Sequence, residues 1–134
     1  MRLIPTLFIA AALVAVPAAS SAREKLAPED QLAKLLKDRV AGEPQDCITL
    51  SSINSSQVID KTAIVYRDVS TLWVNRPRSG ADSLDDDDVL VTKTTGSQLC
   101  SIDAVQLHDR TSHFWRGFVS LGEFVPYRKV KAAE

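Results

Sequence analysis

The chain lacks most of the short motifs that identify an enzyme or a cofactor site. Its five glycines are scattered and form no phosphate-binding loop, and there is no G-x-S-x-G nucleophile turn. The two cysteines are not in a C-x-x-C motif, which argues against a thioredoxin-like redox role. Acidic and basic residues nearly balance, 17 against 16, so bulk charge does not attract nucleic acid or anionic lipid. These absences favour a non-enzymatic protein, and we predict no cofactor, no catalytic residue and no metal ligand.

The first 22 residues of the 134 have the pattern of a secretory signal peptide. Arg2 is followed by an apolar stretch from Leu3 to Val16, and small residues then lead to Ala22. The apolar stretch is shorter than the about 20 residues that a membrane-spanning helix needs. We therefore predict cleavage between Ala22 and Arg23, a periplasmic or secreted location, and no membrane span after cleavage. Loss of Arg2 leaves 15 basic residues against 17 acids, so the net charge changes from −1 to −2.

Export makes an internal disulfide between Cys47 and Cys100 the default expectation. Paired cysteines in an oxidising compartment usually form a bridge, and these are the only two in the chain. Two buried thiols or an intermolecular bridge are the alternatives.

The mature chain, residues 23–134, is expected to form a single small domain. Pro28, the acids that follow it and apolar residues at helical spacing predict a helix over 27–42. Short β-rich runs predict strands within 46–128, and residues 129–134 are expected to fray. The connections are short, which favours antiparallel pairing. The predicted class is therefore α+β, with one N-terminal helix packed on a small antiparallel sheet or partly closed barrel.

Strand positions follow from alternating or continuous apolar runs between turn residues. The apolar positions change phase after Ile102, which predicts a bulge at Asp103 and Ala104. The expected strands are 47–50, 57–59, 62–66, 72–75, 89–93 and 100–107, with one or two more within 118–127.

Two groups of polar residues are candidates for chemistry. The acidic loop from Asp82 to Asp88 lacks the interrupted acids, glycine and glutamate of a calcium loop, so we interpret it as solvated. Whether it binds a cation stays open. His108, Asp109 and His113 could serve a small hydrolase-like or metal-assisted enzyme, although a five-residue step does not place two histidines on one helix face. That enzyme is one alternative function, and a purely structural envelope protein is another.

Two stretches combine aromatic side chains with arginines, the residues that dominate binding hot spots. Strand alternation puts Trp73 on the opposite sheet face from Leu72 and Val74, so one of these faces could be open. In the alternative interpretation, Trp73 and Phe118 lie in the core and the arginines are solvated. The leading hypothesis is that an unknown envelope protein or a small ligand binds here. The candidate binding residues are Trp73, Asn75, Arg76, Arg78, Trp115 and Arg116.

Five short stretches, which together span most of residues 46–127, carry a resemblance to known sequences. They are Asp46–Leu50 (DCITL), Ser56–Asp60 (SQVID), Trp73–Arg78 (WVNRPR), Gln98–Cys100 (QLC) and Leu121–Tyr127 (LGEFVPY). In these stretches the chain resembles a family of small exported proteobacterial proteins of unknown function that contain two cysteines. The resemblance implies export and a paired Cys47 and Cys100. It implies no activity, ligand or catalytic residue.

Overall fold

A computed structural model describes residues 24–131 of the chain. The predicted signal peptide, its cleavage site and the last three residues of the tail lie outside this range. No helix in residues 24–131 is long and apolar enough to cross a membrane. The elements are helix α1 (Pro28–Leu35) and strands β1 (Arg39–Ala41), β2 (Cys47–Thr49), β3 (Ser55–Ile59), β4 (Ala63–Arg67), β5 (Thr71–Asn75), β6 (Asp88–Thr92), β7 (Gln98–Cys100), β8 (Ala104–Asp109), β9 (Trp115–Ser120) and β10 (Phe124–Lys129), with 3₁₀ turns at Leu50–Ser52 and Ala81–Ser83.

The fold is mostly β, and the predicted α+β class with an N-terminal helix is wrong. Strands make up 45% and helix 13%, and the strands form three separate sheets rather than one sheet or a partly closed barrel. The sheet orders are β1-β10-β5-β4-β3, β6-β8-β9 and β2-β7. All their pairings are antiparallel, as the short connections predicted.

Helix α1 is shorter than the predicted 27–42. Pro28 at its start agrees with the sequence, but the helix ends at Leu35. Asp38 has a φ of +61°, which turns the chain away from the helical path, and the next residues pair with β10 as strand β1. Val40, whose spacing fitted the helical stripe, is exposed on this edge strand. The apolar spacing was compatible with either element, and pairing with a strand far along the chain decided between them.

The five-stranded sheet is buried on both faces, and this places two cores in the molecule. Ala63 and Val65 of β4 pack with Leu32 of α1 on one face, whereas Ile64 and Tyr66 face the two smaller sheets. Because neither face meets water, β4 and β5 have nearly unbroken apolar sequences. The smaller sheets therefore have one face in the core and one face outside.

The predicted disulfide closes the two-stranded sheet. Cys47 of β2 lies directly opposite Cys100 of β7, and their sulfur atoms are bonded. Their neighbours Ile48 and Leu99 are buried in the core between the sheets. The covalent bond therefore holds a short ribbon whose apolar side chains anchor it to the rest of the molecule.

The predicted strand 100–107 is in fact the end of one strand and the start of another in a different sheet. β7 ends at Cys100 and β8 begins at Ala104. The change of phase marks a turn rather than a bulge, and the Asp103 carboxylate accepts a 2.8 Å hydrogen bond from the Cys100 amide within it. The other expected strands are present, with their ends shifted by a few residues at most.

Candidate functional site

The six predicted binding residues do not form one surface. Trp73 and Asn75 belong to β5, which is the middle strand of the five-stranded sheet, and Arg76 and Arg78 follow it. Trp115 and Arg116 begin β9, the outer strand of the three-stranded sheet. The two stretches therefore have to be considered separately.

The two candidate residues of β5, Trp73 and Asn75, are buried within the fold. Trp73 is only 8% exposed and packs in the core between the sheets. Asn75 is fully buried, and its side-chain amide donates to the Gly122 carbonyl at 2.7 Å while its Oδ1 accepts from the Gly122 amide at 2.9 Å. Neither side chain is available to a partner. Trp73 lies in the core, as in the alternative interpretation, and neither face of β5 is open, because Leu72 and Val74 are buried on the other side.

The two arginines that follow β5 are occupied by contacts within the protein. Arg76 makes two hydrogen bonds to the Glu29 carboxylate of α1, at 2.9 and 3.1 Å, and thereby lowers the pKa of that carboxyl group. Arg78 donates from Nε to the Leu121 carbonyl and from its terminal nitrogen to the Ser101 carbonyl. These arginines hold a helix and two loops against the sheet.

The Trp115 stretch forms a different kind of surface, on the outer side of the three-stranded sheet. Trp115 is 60% exposed and Phe118 is 55% exposed, while Phe114 just before the strand is 76% exposed. Trp115 lies opposite His108 and Phe118 opposite Gln106, so the two aromatic side chains share one face of the sheet. We call Trp115 and Phe118 the aromatic face.

A β-bulge creates this arrangement. Residues 115 and 118 are an odd number of positions apart, so a regular strand would place them on opposite faces. The register between β8 and β9 shifts between Leu107 and His108, which leaves Arg116 as the extra residue. Gly117 beside it has a φ of +145°, a conformation that glycine adopts readily. The glycine was the sequence signal for the bulge. Phe118 was not among the candidate binding residues, and the alternative interpretation that placed it in the core is wrong for this residue.

The bulge also turns Arg116 toward a buried acid. Arg116 donates a hydrogen bond to Asp88, whose side chain is only 1% exposed, across the sheet. The same carboxylate accepts a hydrogen bond from the Asp85 amide. Arg116 therefore compensates a buried charge and is not free to bind a ligand.

His108 and Asp109 end β8, and His113 lies in the turn that follows it. The Asp109 carboxylate accepts hydrogen bonds from the Thr111 amide and from the amide and hydroxyl of Ser112, which lowers its pKa and fixes the turn between β8 and β9. The His108 ring contacts the carbonyl of His113 rather than its side chain, at 3.2 Å. With the carboxylate held in the turn, the geometry gives no support to the hydrolase-like alternative.

The acidic loop is bonded to the rest of the protein rather than simply solvated. In residues 24–131, one group of acidic side chains is close enough to share an ion, namely Asp60, Asp85 and Asp86. The Lys25 ammonium group already contacts two of them, at 2.9 Å from Asp60 and 2.6 Å from Asp86. Hydrogen bonds from Lys25 lower the pKa of Asp60. A cation supplied by the chain itself thus offsets part of the negative charge of this cluster, with one ammonium group against three carboxylates.

Comparisons with known proteins find no matching family model, no similar curated protein and no similar solved structure. The resemblance to exported proteobacterial proteins stays a prediction. The function therefore has to be argued from the surfaces of this molecule.

Proposed function

We propose that this chain is a non-enzymatic periplasmic or secreted domain that binds an envelope protein through the aromatic face. The observation that carries the proposal is the exposure of Trp115 and Phe118 side by side on an uncovered sheet face. Large aromatic side chains that stay exposed in a group are typical of interaction sites, and tryptophan is enriched in binding hot spots. The disulfide supports an oxidising compartment such as the periplasm or the exterior of the cell.

The position of β9 indicates the chemistry of the partner. β9 is an edge strand of its sheet, and the segment that begins at Ser79 covers one end of its outer edge. Ser79 is bridged to Ser120, and Gly80 lies against the Phe118 carbonyl. The remaining backbone N–H and C=O groups are placed to pair with an added strand. The partner would contribute an extended segment that pairs with β9 and packs apolar side chains, at alternate positions, on the aromatic face.

The experiment uses the mature protein as bait in a periplasmic extract, followed by purification of the captured protein and a binding assay with it. Trp115→Ala together with Phe118→Ala should weaken binding by at least tenfold. Val69→Ala is the control, because Val69 is also apolar and is even more exposed, at 89%, but lies in the turn between β4 and β5, away from β9. Circular dichroism of each variant checks that the fold is intact.

Hydrogen exchange on the complex tests the strand-addition geometry. The amides of β9 should become protected in the complex, while those of the exposed turn at Val69 should not. Equal binding by the double variant, or binding without protection of β9, would refute the proposal. Concentration-dependent dimerisation that the double variant abolishes would instead identify a second copy of this chain as the occupant and would also overturn the proposed envelope partner.

A further inference from the structure

A second opening lies away from the aromatic face, where the two larger sheets meet. β3 is an edge strand of the five-stranded sheet, and β6 is an edge strand of the three-stranded sheet. Between them is a cleft of about 230 Å³, which we call the Tyr66 cleft. Leu50 and Ile53 line it from the first 3₁₀ turn, Leu90 lines it from β6, and Tyr66 lines it from β4. Three aliphatic side chains and one phenol thus surround the same space.

Tyr66 is the feature that distinguishes this cleft from an ordinary surface groove. The side chain is 5% exposed, and its ring packs edge-on against Phe124 with the ring centres 5.9 Å apart. The hydroxyl oxygen is buried and has no hydrogen-bond partner in residues 24–131. Buried hydroxyl groups nearly always have a partner, because an unpaired one destabilises the fold. A phenylalanine would fill the same space without this penalty.

Burial also fixes the chemical state of the phenol. It raises the pKa of Tyr66 well above the usual value, so the hydroxyl stays protonated at any physiological pH. A protonated phenol is a hydrogen-bond donor, and the atom that it lacks is an acceptor oxygen or nitrogen. Because the hydroxyl is closed to solvent, a ligand reaches it only when side chains that line the cleft, such as Leu50 or Ile53, change rotamer.

The charges near the cleft indicate that the ligand is neutral. A second cavity of about 360 Å³ adjoins it and shares Ser56 and Leu90 with it. The charged residues that line this second cavity are already paired, with Asp86 bound to Lys25 and Arg110 bound to Asp87. Its third charged group, the Asp88 carboxylate, is held by Arg116. The described residues that line the Tyr66 cleft itself include no charged side chain, so the lining offers an ionic ligand no ion pair.

We propose that the Tyr66 cleft binds a neutral amphipathic small molecule. Its apolar body packs on Leu50, Ile53 and Leu90, and its carbonyl or hydroxyl oxygen accepts the hydrogen bond from Tyr66. The polar residues Ser56 and Asn54 also line the cleft and would face a polar end of the molecule. This site is independent of the aromatic face and goes beyond the proposed protein partner.

Two probe molecules with the same apolar body test the proposal on the mature, oxidised protein. Acetophenone carries a carbonyl oxygen, and ethylbenzene does not. In ¹H–¹⁵N spectra, acetophenone should shift the amides of residues 50–56 and 90–92. A single neutral hydrogen bond corresponds to about fivefold in affinity, so Tyr66→Phe should weaken acetophenone binding about fivefold and leave ethylbenzene binding unchanged.

Tyr127→Phe is the matched control, because Tyr127 is the other tyrosine of the chain and packs in the core on the helix side. It should bind both probes as the unaltered protein does. Unmoved amides at residues 50–56 in millimolar acetophenone would overturn the proposal, and so would equal acetophenone binding by Tyr66→Phe. Tyr66→Phe should also unfold at a higher urea concentration than the unaltered protein. A clear drop in its midpoint would show that the hydroxyl has a partner within the fold, and this too would overturn the proposal.

Discussion

Replacement of Asn75 tests whether this residue, a predicted binding residue, instead holds the fold together. Its side-chain amide makes two hydrogen bonds to the backbone of Gly122, in the connection between β9 and β10. That connection packs tightly, since a Cβ atom at Gly122 would lie 2.4 Å from the Arg76 carbonyl oxygen. Asn75 therefore fastens a loop that joins two sheets.

The magnitude follows from the two groups that Asn75→Ala would orphan. A buried backbone donor or acceptor without a partner costs about 1–3 kcal/mol, so the free energy of unfolding should fall by about 2–6 kcal/mol. A domain of this size has about 5–15 kcal/mol in total, and the effect is therefore large. Urea denaturation of the oxidised protein, followed by tryptophan fluorescence, measures it. Asn54→Ala is the matched control, because Asn54 is the other asparagine and is exposed, and it should change stability by less than about 0.5 kcal/mol.

Asn75→Asp adds a pH dependence whose sign can be worked out. An aspartate here can donate to the Gly122 carbonyl only when protonated, so its pKa in the folded state should lie above the unfolded value of about 3.9. The stabilisation is then fully present below about pH 3.9 and is lost as the pH rises through the folded pKa. The stability difference from the unaltered protein should therefore grow from pH 3 to pH 7, and Asn54→Asp should show no such trend. A flat difference, or a loss below about 1 kcal/mol for Asn75→Ala, would refute the reasoning.

Three further predictions test other parts of the fold. Reduction of the disulfide, which joins residues with a sequence separation of 53, should lower the free energy of unfolding by about 4 kcal/mol in urea denaturation, and a change below about 1 kcal/mol would contradict it. Gly80→Ala should lower the free energy of unfolding by more than about 2 kcal/mol, because residue 80 has a φ of +83° and a Cβ there would lie 2.7 Å from a backbone oxygen of β9. Gly96→Ala is the control: a Cβ at residue 96 meets no atom within 4 Å, so thermal denaturation should be nearly unchanged. Arg76 lowers the pKa of Glu29, so this ion pair stabilises the fold above the unfolded pKa of about 4.3, and the stabilisation is lost as the pH falls through the lower folded pKa. Glu29→Gln should lower the free energy of unfolding by less than about 1 kcal/mol and should remove this part of its pH dependence. An unaltered profile of stability against pH would contradict the prediction.

Local sequence patterns were sufficient for most strands and for the disulfide. The hairpin of β3 and β4 was visible because two apolar runs flank Asp60 and Lys61, and Lys61 indeed has a positive φ of +53°. The cysteines could be paired from their number and the expected compartment alone. Each of these features depends on a few neighbouring residues or on composition, and both kinds of information are present in a single sequence.

The parts that failed depend on contacts between distant residues. Strand β1 exists because Arg39 to Ala41 pair with β10, and the sequence around them carries no signal for this pairing. The fold class was predicted wrongly for the same reason, because the helix ends shortly before Arg39, where pairing with β10 begins. The division of residues 100–107 between two sheets likewise follows from where Cys100 finds its partner, opposite Cys47. Apolar spacing indicates that a residue is buried, but not in which sheet.

The two tryptophans show what decides whether an aromatic and arginine-rich stretch can bind anything. Trp73 and Trp115 both lie in strands, and each is followed by an arginine within three positions. Trp73, however, is in the middle strand of its sheet, which has a strand on each side and is packed on both faces. Trp115 is on an edge strand of a sheet that is covered on one face only, and the bulge at Gly117 turns it to the uncovered face. Sheet position, rather than composition, therefore selects the surface that remains for a partner. A glycine beside an aromatic residue within a strand is the sequence sign of that position, because bulges concentrate at sheet edges.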